Sequence, residues 1–153
     1  MEALLNEIEL RKDYLPGPVN TIYFGGGTPS LLQGETVKRI LLTIDDIFGY
    51  DKDTEITFEC NPDDLTYDYA ERLKKEGVNR ISLGTQSFHD EELKFLGRRH
   101  RSKKNHEALE HVFKAGFSNV SIDLIYGLPG STGKSLEESI HSVMEYPITH
   151  VSA

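Results

Sequence analysis

Cysteine is almost absent: Cys60 is the only one in 153 residues. A single thiol excludes an internal disulfide and any metal site built from several cysteines, and it fits a reducing, cytoplasmic setting. Long apolar runs are lacking as well. No stretch approaches the roughly 18 consecutive apolar residues that a membrane span requires, so no stable membrane insertion is expected. Met1-Glu2-Ala3 opens an amphipathic pattern without the charged and apolar regions of a secretory signal. Positive charge is scarce: 17 Lys and Arg stand against 25 Asp and Glu, a formal net charge of −8. Such a balance argues against nucleic-acid binding, because phosphate contacts need clustered cations. The one basic cluster, Arg98-Arg99-His100-Arg101 with Lys103 and Lys104, reads as a solvated face. The histidines are scattered, and none is nominated as a ligand.

What remains is an ordinary globular composition, long enough for one domain with a respectable core. Leu4, Leu5 and Ile8 share a helical face that should end before Pro16-Gly17-Pro18. Val19 to Phe24 reads as a buried strand. Val37, Ile40, Leu41, Ile44, Ile47 and Phe48 recur at helical spacing, with Gly49 placed as a helix-ending glycine. Glu55 to Glu59 reads as a strand broken by Asn61-Pro62, and Thr66 to Glu76 as a helix stopped by Gly77. Gly77-Val78-Asn79-Arg80-Ile81-Ser82-Leu83 and Gly116-Phe117-Ser118-Asn119-Val120-Ser121-Ile122 then share one pattern, each a helix end followed by a strand. Asp90 to Leu96 and Ser102 to Ala115 are the helices between them, and Val120 to Ile125 the later strand. Ser135-x-x-Glu138 predicts a capping box opening a last helix through Met144, and a new strand starts after Pro147. Strands and helices alternate, which predicts an α/β fold with a parallel sheet and right-handed crossovers. An open doubly wound sheet and a piece of a barrel remain equally compatible with that periodicity. The start in a helical pattern and the finish in a nascent strand suggest a fragment of a longer polypeptide.

In such folds ligands meet the C-terminal ends of the strands. The first strand ends in Gly25-Gly26-Gly27-Thr28-Pro29, a backbone stripped of Cβ atoms and stiffened by Pro29. It lacks the Gly-Lys-Ser/Thr of a Walker loop and does not match G-x-G-x-x-G, and an ordinary strand-to-helix loop is the plain alternative. The second strand ends in Glu59-Cys60-Asn61-Pro62 and the third in Gly84-Thr85-Gln86-Ser87-Phe88. The fourth carries Asp123 into Tyr126-Gly127-Leu128-Pro129-Gly130. A bare backbone, two carboxylates and an amide on one rim suit a polar small molecule with an amine, a carboxylate and hydroxyls. No Ser-His-Asp or multi-His set supports hydrolysis or zinc chemistry, so no catalytic or metal residue is assigned. An unrelated α/β barrel enzyme whose glycine loop holds a phosphate stays open as a reading of these residues.

The motifs from Ile22 to Ser30, Glu59-x-Asn61-Pro62, Gly84 to Phe88 and Ile122 to Gly130 resemble the radical S-adenosylmethionine proteins of the HemN/HemW group. That group comprises oxygen-independent coproporphyrinogen III oxidases and related haem chaperones. The resemblance implies a six-stranded partial (β/α) barrel, with residues 1–153 the central arc from the first helix to the sixth strand. It also implies contacts to S-adenosylmethionine from Gly26, Gly27, Thr28, Glu59, Gln86, Arg98 and Asp123, with Ile125 to Pro129 on the adenine side. The family's Cys-x-x-x-Cys-x-x-Cys triplet, which holds a 4Fe-4S cluster, is missing, as is the His-Asn-x-x-Tyr-Trp stretch of the chaperone branch. Cys60 reads instead as a small buried hydrophobe. The cluster is therefore expected only in the full-length parent, the N-terminal cluster loop and C-terminal domain lying outside this sequence, and residues 1–153 alone are expected to be inert. Gln86-Ser87-Phe88, Leu96-Gly97-Arg98 and His100 are more like the chaperone branch, whereas the oxidase branch tends to Gln-Asp-Phe and Asn-Arg-Glu. Haem or a porphyrinogen and a haem-recipient protein are the implied partners of the parent. The arc itself, with exposed sheet edges, is expected to self-associate.

Overall fold

Apolar and polar residues alternate along the strands, and this decides which face of the sheet is covered. The computed structural model describes residues 1–153. Helix α1 (Glu2–Leu10) leads to strand β1 (Thr21–Phe24), a 3-10 turn (Pro29–Leu31) and helix α2 (Gly34–Phe48). Strand β2 (Glu55–Cys60), helix α3 (Tyr67–Lys75), strand β3 (Arg80–Gln86) and helices α4 (Asp90–Phe95) and α5 (Ser102–Lys114) follow. Strand β4 (Asn119–Leu124), helix α6 (Gly133–Met144) and strand β5 (His150–Ser152) complete the order. All neighbouring strands pair in parallel, in the sequence β1-β2-β3-β4-β5. These are five of the six strands that the resemblance implies.

The register stacks like with like. Phe24, Phe58, Ile81 and Val120 form one apolar rung, and Cys60, Leu83, Ile122 and Val151 the next. Polar rungs alternate with them: Tyr23, Thr57, Arg80 and Asn119 come before the first, and Glu59, Ser82, Ser121 and His150 lie between the two. Parallel sheets covered on both faces read as nearly continuous apolar runs. Here the apolar rungs, apart from the exposed Val151 at the outer edge, join Val37, Ile40, Leu73, Ala108, Leu109 and Val112 of the helices in one core. The opposite face is left polar and free to meet a ligand. Near the start of the strands that face is closed by side chains, with Arg80 Nη1 donating to Asn119 Oδ1 at 2.5 Å and Thr57 Oγ1 to Glu55 Oε1 at 3.1 Å.

Several boundaries differ from the sequence reading. Strand β1 begins at Thr21 because Glu55 N–H bonds Asn20 O there, while Val19 N–H is already taken by Gly49 O. As an edge strand it buries Ile22 and Phe24 but exposes Thr21 and Tyr23, so it is half-buried rather than buried. Helix α6 starts one turn earlier than Ser135. Thr132 caps it, its hydroxyl accepting from Ser135 N–H at 3.1 Å while Ser135 Oγ accepts from Thr132 N–H at 3.0 Å. Glu138 takes no part in that cap and lies beside Lys134 and His89. The basic cluster is also not a simple solvated face: Arg99, Arg101 and Lys103 are exposed, but His100 is buried.

Candidate functional site

The exits of β1 to β4 meet around a cleft of about 280 Å³, lined by Gly27, Thr28, Ser30, Glu59, Asn61, Ser82, Gln86, Arg98 and Asp123 among others. Each is placed for a local reason. Gly26 and Gly27 have φ of +77° and +65°, the left-handed region that side chains resist. Gly25 is needed for a different reason, since a Cβ there would lie 2.6 Å from the Tyr23 ring and 3.0 Å from Glu59 Oε1. Glu59 thereby approaches the loop closely. Its Oε2 accepts from Gly26 N–H at 3.3 Å and its Oε1 from the Tyr23 hydroxyl at 2.7 Å. Gly26 itself stands just behind the cleft wall, joined to it through this carboxylate.

Gln86 ends β3 where pairing with β4 shifts register, and it is the one non-glycine residue with positive φ, +63°. A left-handed conformation costs a residue with a Cβ about 1–2 kcal/mol. Asn105, fully buried on α5, secures the same exit by donating to Thr85 O at 3.2 Å and Ser87 O at 2.8 Å. Thr85 Oγ1 crosses to Asp123 O at 2.9 Å, tying β3 to β4. Arg98 arrives from the end of α4. That helix closes with Gly97 at φ +68°, Gly97 N–H bonding Lys94 O and Arg98 N–H bonding Leu93 O. This pair of bonds is the Schellman arrangement, which turns the chain out of the helix toward the cleft. Arg98 Nη1 then donates to Asn61 Oδ1 at 3.4 Å and makes no ion pair.

Electrostatically the cleft sets two carboxylates against one guanidinium. Burial, followed by the charge of Glu59, holds the Asp123 carboxyl above the usual range, while Ser82, His150 and Arg98 oppose the shift. The Tyr23 hydroxyl is pushed up to about 12 by burial and by its bond to and charge repulsion from Glu59. Burial is the first cause of both shifts; only the part that comes from the neighbouring carboxylates is what a cation in the cleft would relieve. Next to it, across Gln86, a second cavity of about 230 Å³ is lined by Leu124, Ile125, Tyr126 and the start of α6. Glu92 closes its side, accepting from Ser87 Oγ at 2.5 Å and Ser135 Oγ at 2.7 Å.

The residues nominated from sequence thus come together, Gly26 through Glu59 and the others directly. Ser30, Asn61 and Ser82 also line the cleft and were not nominated. The first two stand inside the quoted motifs, which was the available signal; Ser82 sits on the polar rung of β3, and its alternation with Ile81 and Leu83 would have found it. Cys60 faces the core with its thiol pushed up by burial first and then by Asp64 and Glu59. A thiol held protonated is a poor metal ligand, and no group of His, Cys, Asp and Glu in this chain is arranged to hold a metal. The residues present do not fit a 4Fe-4S cluster.

The model of the Radical SAM superfamily matches residues 1–143. The chain belongs to that superfamily. Heme chaperone HemW of Lactococcus lactis is 40% identical over 152 residues, 99% of this chain and 39% of that protein. The oxygen-independent coproporphyrinogen III oxidase of Escherichia coli is 33% identical over 146 residues, 95% of this chain and 32% of the relative. The solved structure of coproporphyrinogen III oxidase (HemN) from Escherichia coli superposes with a TM-score of 0.86 at 31% identity, covering 99% of this chain and 36% of that one. The chain therefore spans under two-fifths of the length of these relatives. Membership excludes an unrelated α/β barrel enzyme. No helix is long and apolar enough to cross a membrane.

Proposed function

We propose that residues 1–153 form the S-adenosylmethionine-holding arc of a HemW-like protein, whose whole chain binds haem and delivers it to a recipient protein in the cytoplasm. The single observation that carries the cofactor reading is the cleft of Glu59, Gln86, Arg98 and Asp123 beside the Gly26-Gly27-Thr28 backbone. An amino-acid group needs acceptors for its ammonium and a donor fork for its carboxylate. Glu59 and Asp123 supply the first and Arg98 the second. The adjoining cavity at Ile125 and Tyr126 offers an apolar wall on which an adenine can lie. When bound, S-adenosylmethionine supplies radical chemistry; the residues here bind and orient it, and Glu59 and Asp123 lower the charge cost of its two cationic centres. No step through a cluster is assigned to these residues. Equilibrium dialysis with S-adenosylmethionine tests this reading, with Arg98→Ala and Asp123→Asn expected to weaken binding at least tenfold. Unchanged binding in both would overturn it.

Haem handling is favoured by the first relatives, HemW proteins at 36–40% identity over most of this chain. The second reading, oxidation of coproporphyrinogen III to protoporphyrinogen IX, is favoured by the TM-score of 0.86 to the Escherichia coli enzyme. A haem titration of the whole protein beside a coproporphyrinogen assay separates them. Haem binding without turnover supports the chaperone reading; turnover of coproporphyrinogen overturns it.

A further inference from the structure

Ser30 is buried at the rim of the cleft, and both of its hydrogen bonds lead to the exit of β2. Its Oγ accepts from Asn61 N–H at 3.4 Å and donates to Asp64 Oδ2 at 2.7 Å. Asn61 in turn uses its side-chain oxygen to hold Arg98 Nη1 at 3.4 Å. Behind this path the acidic pair reaches the residues that follow Arg98. Arg99 lies 3.6 Å from Asp63 and 3.8 Å from Asp64, and His100 Nδ1 lies 3.7 Å from Asp63. The long contacts of the exposed Arg99 contribute little by themselves. The Ser30–Asp64 bond is different, being short, charge-assisted and shielded, with the Asp64 side chain 15% exposed. Three separate connections, after β1, after β2 and after α4, are thus fastened to one another at their bases.

Arg98 depends on this fastening because its side-chain partner is a neutral amide. Its guanidinium keeps its charge for a ligand, but little besides Asn61 fixes where that charge sits. We propose that Asp64, acting through Ser30 and Asn61, is a positioning residue that sets the span between the Arg98 guanidinium and the triple-glycine backbone. That span is what lets the cleft grip both ends of an amino-acid group at once. The inference rests on reading the cleft as the S-adenosylmethionine site.

The test compares two nucleosides by equilibrium dialysis on the whole protein: S-adenosylmethionine, and 5′-methylthioadenosine, which lacks the amino-acid part. Asp64→Ala is expected to weaken the first about tenfold, the scale of one charge-assisted bond, and to leave the second within twofold. Asp64→Asn keeps an acceptor for Ser30 and should recover most of the loss. Ser30→Ala should reproduce it, and the double variant should add nothing further. If Asp64→Ala fails to fold, Ser30→Ala carries the same comparison. Equal weakening of both nucleosides, or of neither, overturns the positioning role while leaving the site assignment standing. A wild-type protein that binds neither nucleoside overturns both.

Discussion

The side chain of Gln86 occupies the space that a side chain on Gly84 would need: a Cβ at Gly84 would lie 2.8 Å from Gln86 Nε2. Gly84 has no positive φ, so it is glycine for room rather than for backbone freedom. The strained backbone of Gln86 and the bare position two residues earlier together fold the amide back along the floor of the cleft. Strain of this kind at a strand end argues for a functional constraint on the amide.

Gly84→Ala separates fold from site. The obstructing atom is the end of a flexible side chain, so the variant should lose only about 1 kcal/mol of stability, the low end for an added methyl group. The Gln86 amide must swing away, and affinity for S-adenosylmethionine should fall several-fold. Thermal melting beside equilibrium dialysis checks both, and a large melting loss with unchanged affinity would reverse the assignment.

Glu59→Gln should leave the fold almost intact, because an amide oxygen can still accept from Gly26 N–H or from the Tyr23 hydroxyl. The charge is what disappears. Tyr23 is pushed up to about 12, and loss of the Glu59 charge should bring it part of the way back toward its ordinary value while burial keeps the rest of the shift. Ultraviolet titration of the tyrosinate band, read against Tyr23→Phe, follows this one residue.

Asp123 gives a pH dependence of definite sign. Its carboxyl is held above the usual range by burial and by Glu59, so the folded protein takes up its proton at higher pH than the unfolded chain does. Below the unfolded value the protonated carboxyl contributes its full stability, which is lost as pH rises through the raised folded value. A cationic ligand reverses the preference, since it needs the carboxylate. Its affinity should decline on acidification already above the ordinary carboxylate range, and Asp123→Asn should be weaker but flat through that interval. The same variant should melt slightly higher than wild type when empty, at neutral pH.

The outer strands carry the fourth prediction. β1 and β5 each pair on one side only, and Tyr23 on one and Val151 on the other are exposed at 61% and 46%. Open edges of this kind template pairing between copies. Residues 1–153 on their own should therefore sediment as concentration-dependent oligomers, and replacing Val151 with Lys should shift them toward monomer. A monomer at all concentrations would contradict this.

How much of this was legible in advance depends on the kind of signal. Helix stops were plain because glycine is the only residue comfortable there: Gly49, Gly77 and Gly116 all have positive φ at the positions read from sequence. The parallel sheet followed from alternation of elements, and the rim followed from asking what stands at each strand end. Three things were hidden. Thr132 and Ser135 both offer a capping oxygen, and only the docking of α6 on the segment that follows β3, where Ser139 Oγ accepts from Phe88 N–H at 3.2 Å, decides between them. The left-handed backbone of Gln86 leaves no mark in composition, since nothing about glutamine announces it. His100 lay in a run of cations that looks solvated, and burial then holds its imidazole below its usual range; only the fold shows that the run straddles the edge of the core.

The turn that ends α4 has a further consequence for how this sequence tolerates change in length. Leu93 anchors in the core at 1% exposure, and Arg98 reaches the cleft only because the Gly97 turn follows at a fixed count of residues. Each helical residue advances the direction of the chain by about 100°. An insertion or deletion of one residue between them would aim the guanidinium at solvent or at the sheet while leaving every other wall of the cleft in place. Loops such as the one before β2 can lengthen at little cost, but this short helix works as a counted spacer, and relatives that bind the same ligand should keep its length even where they change its residues.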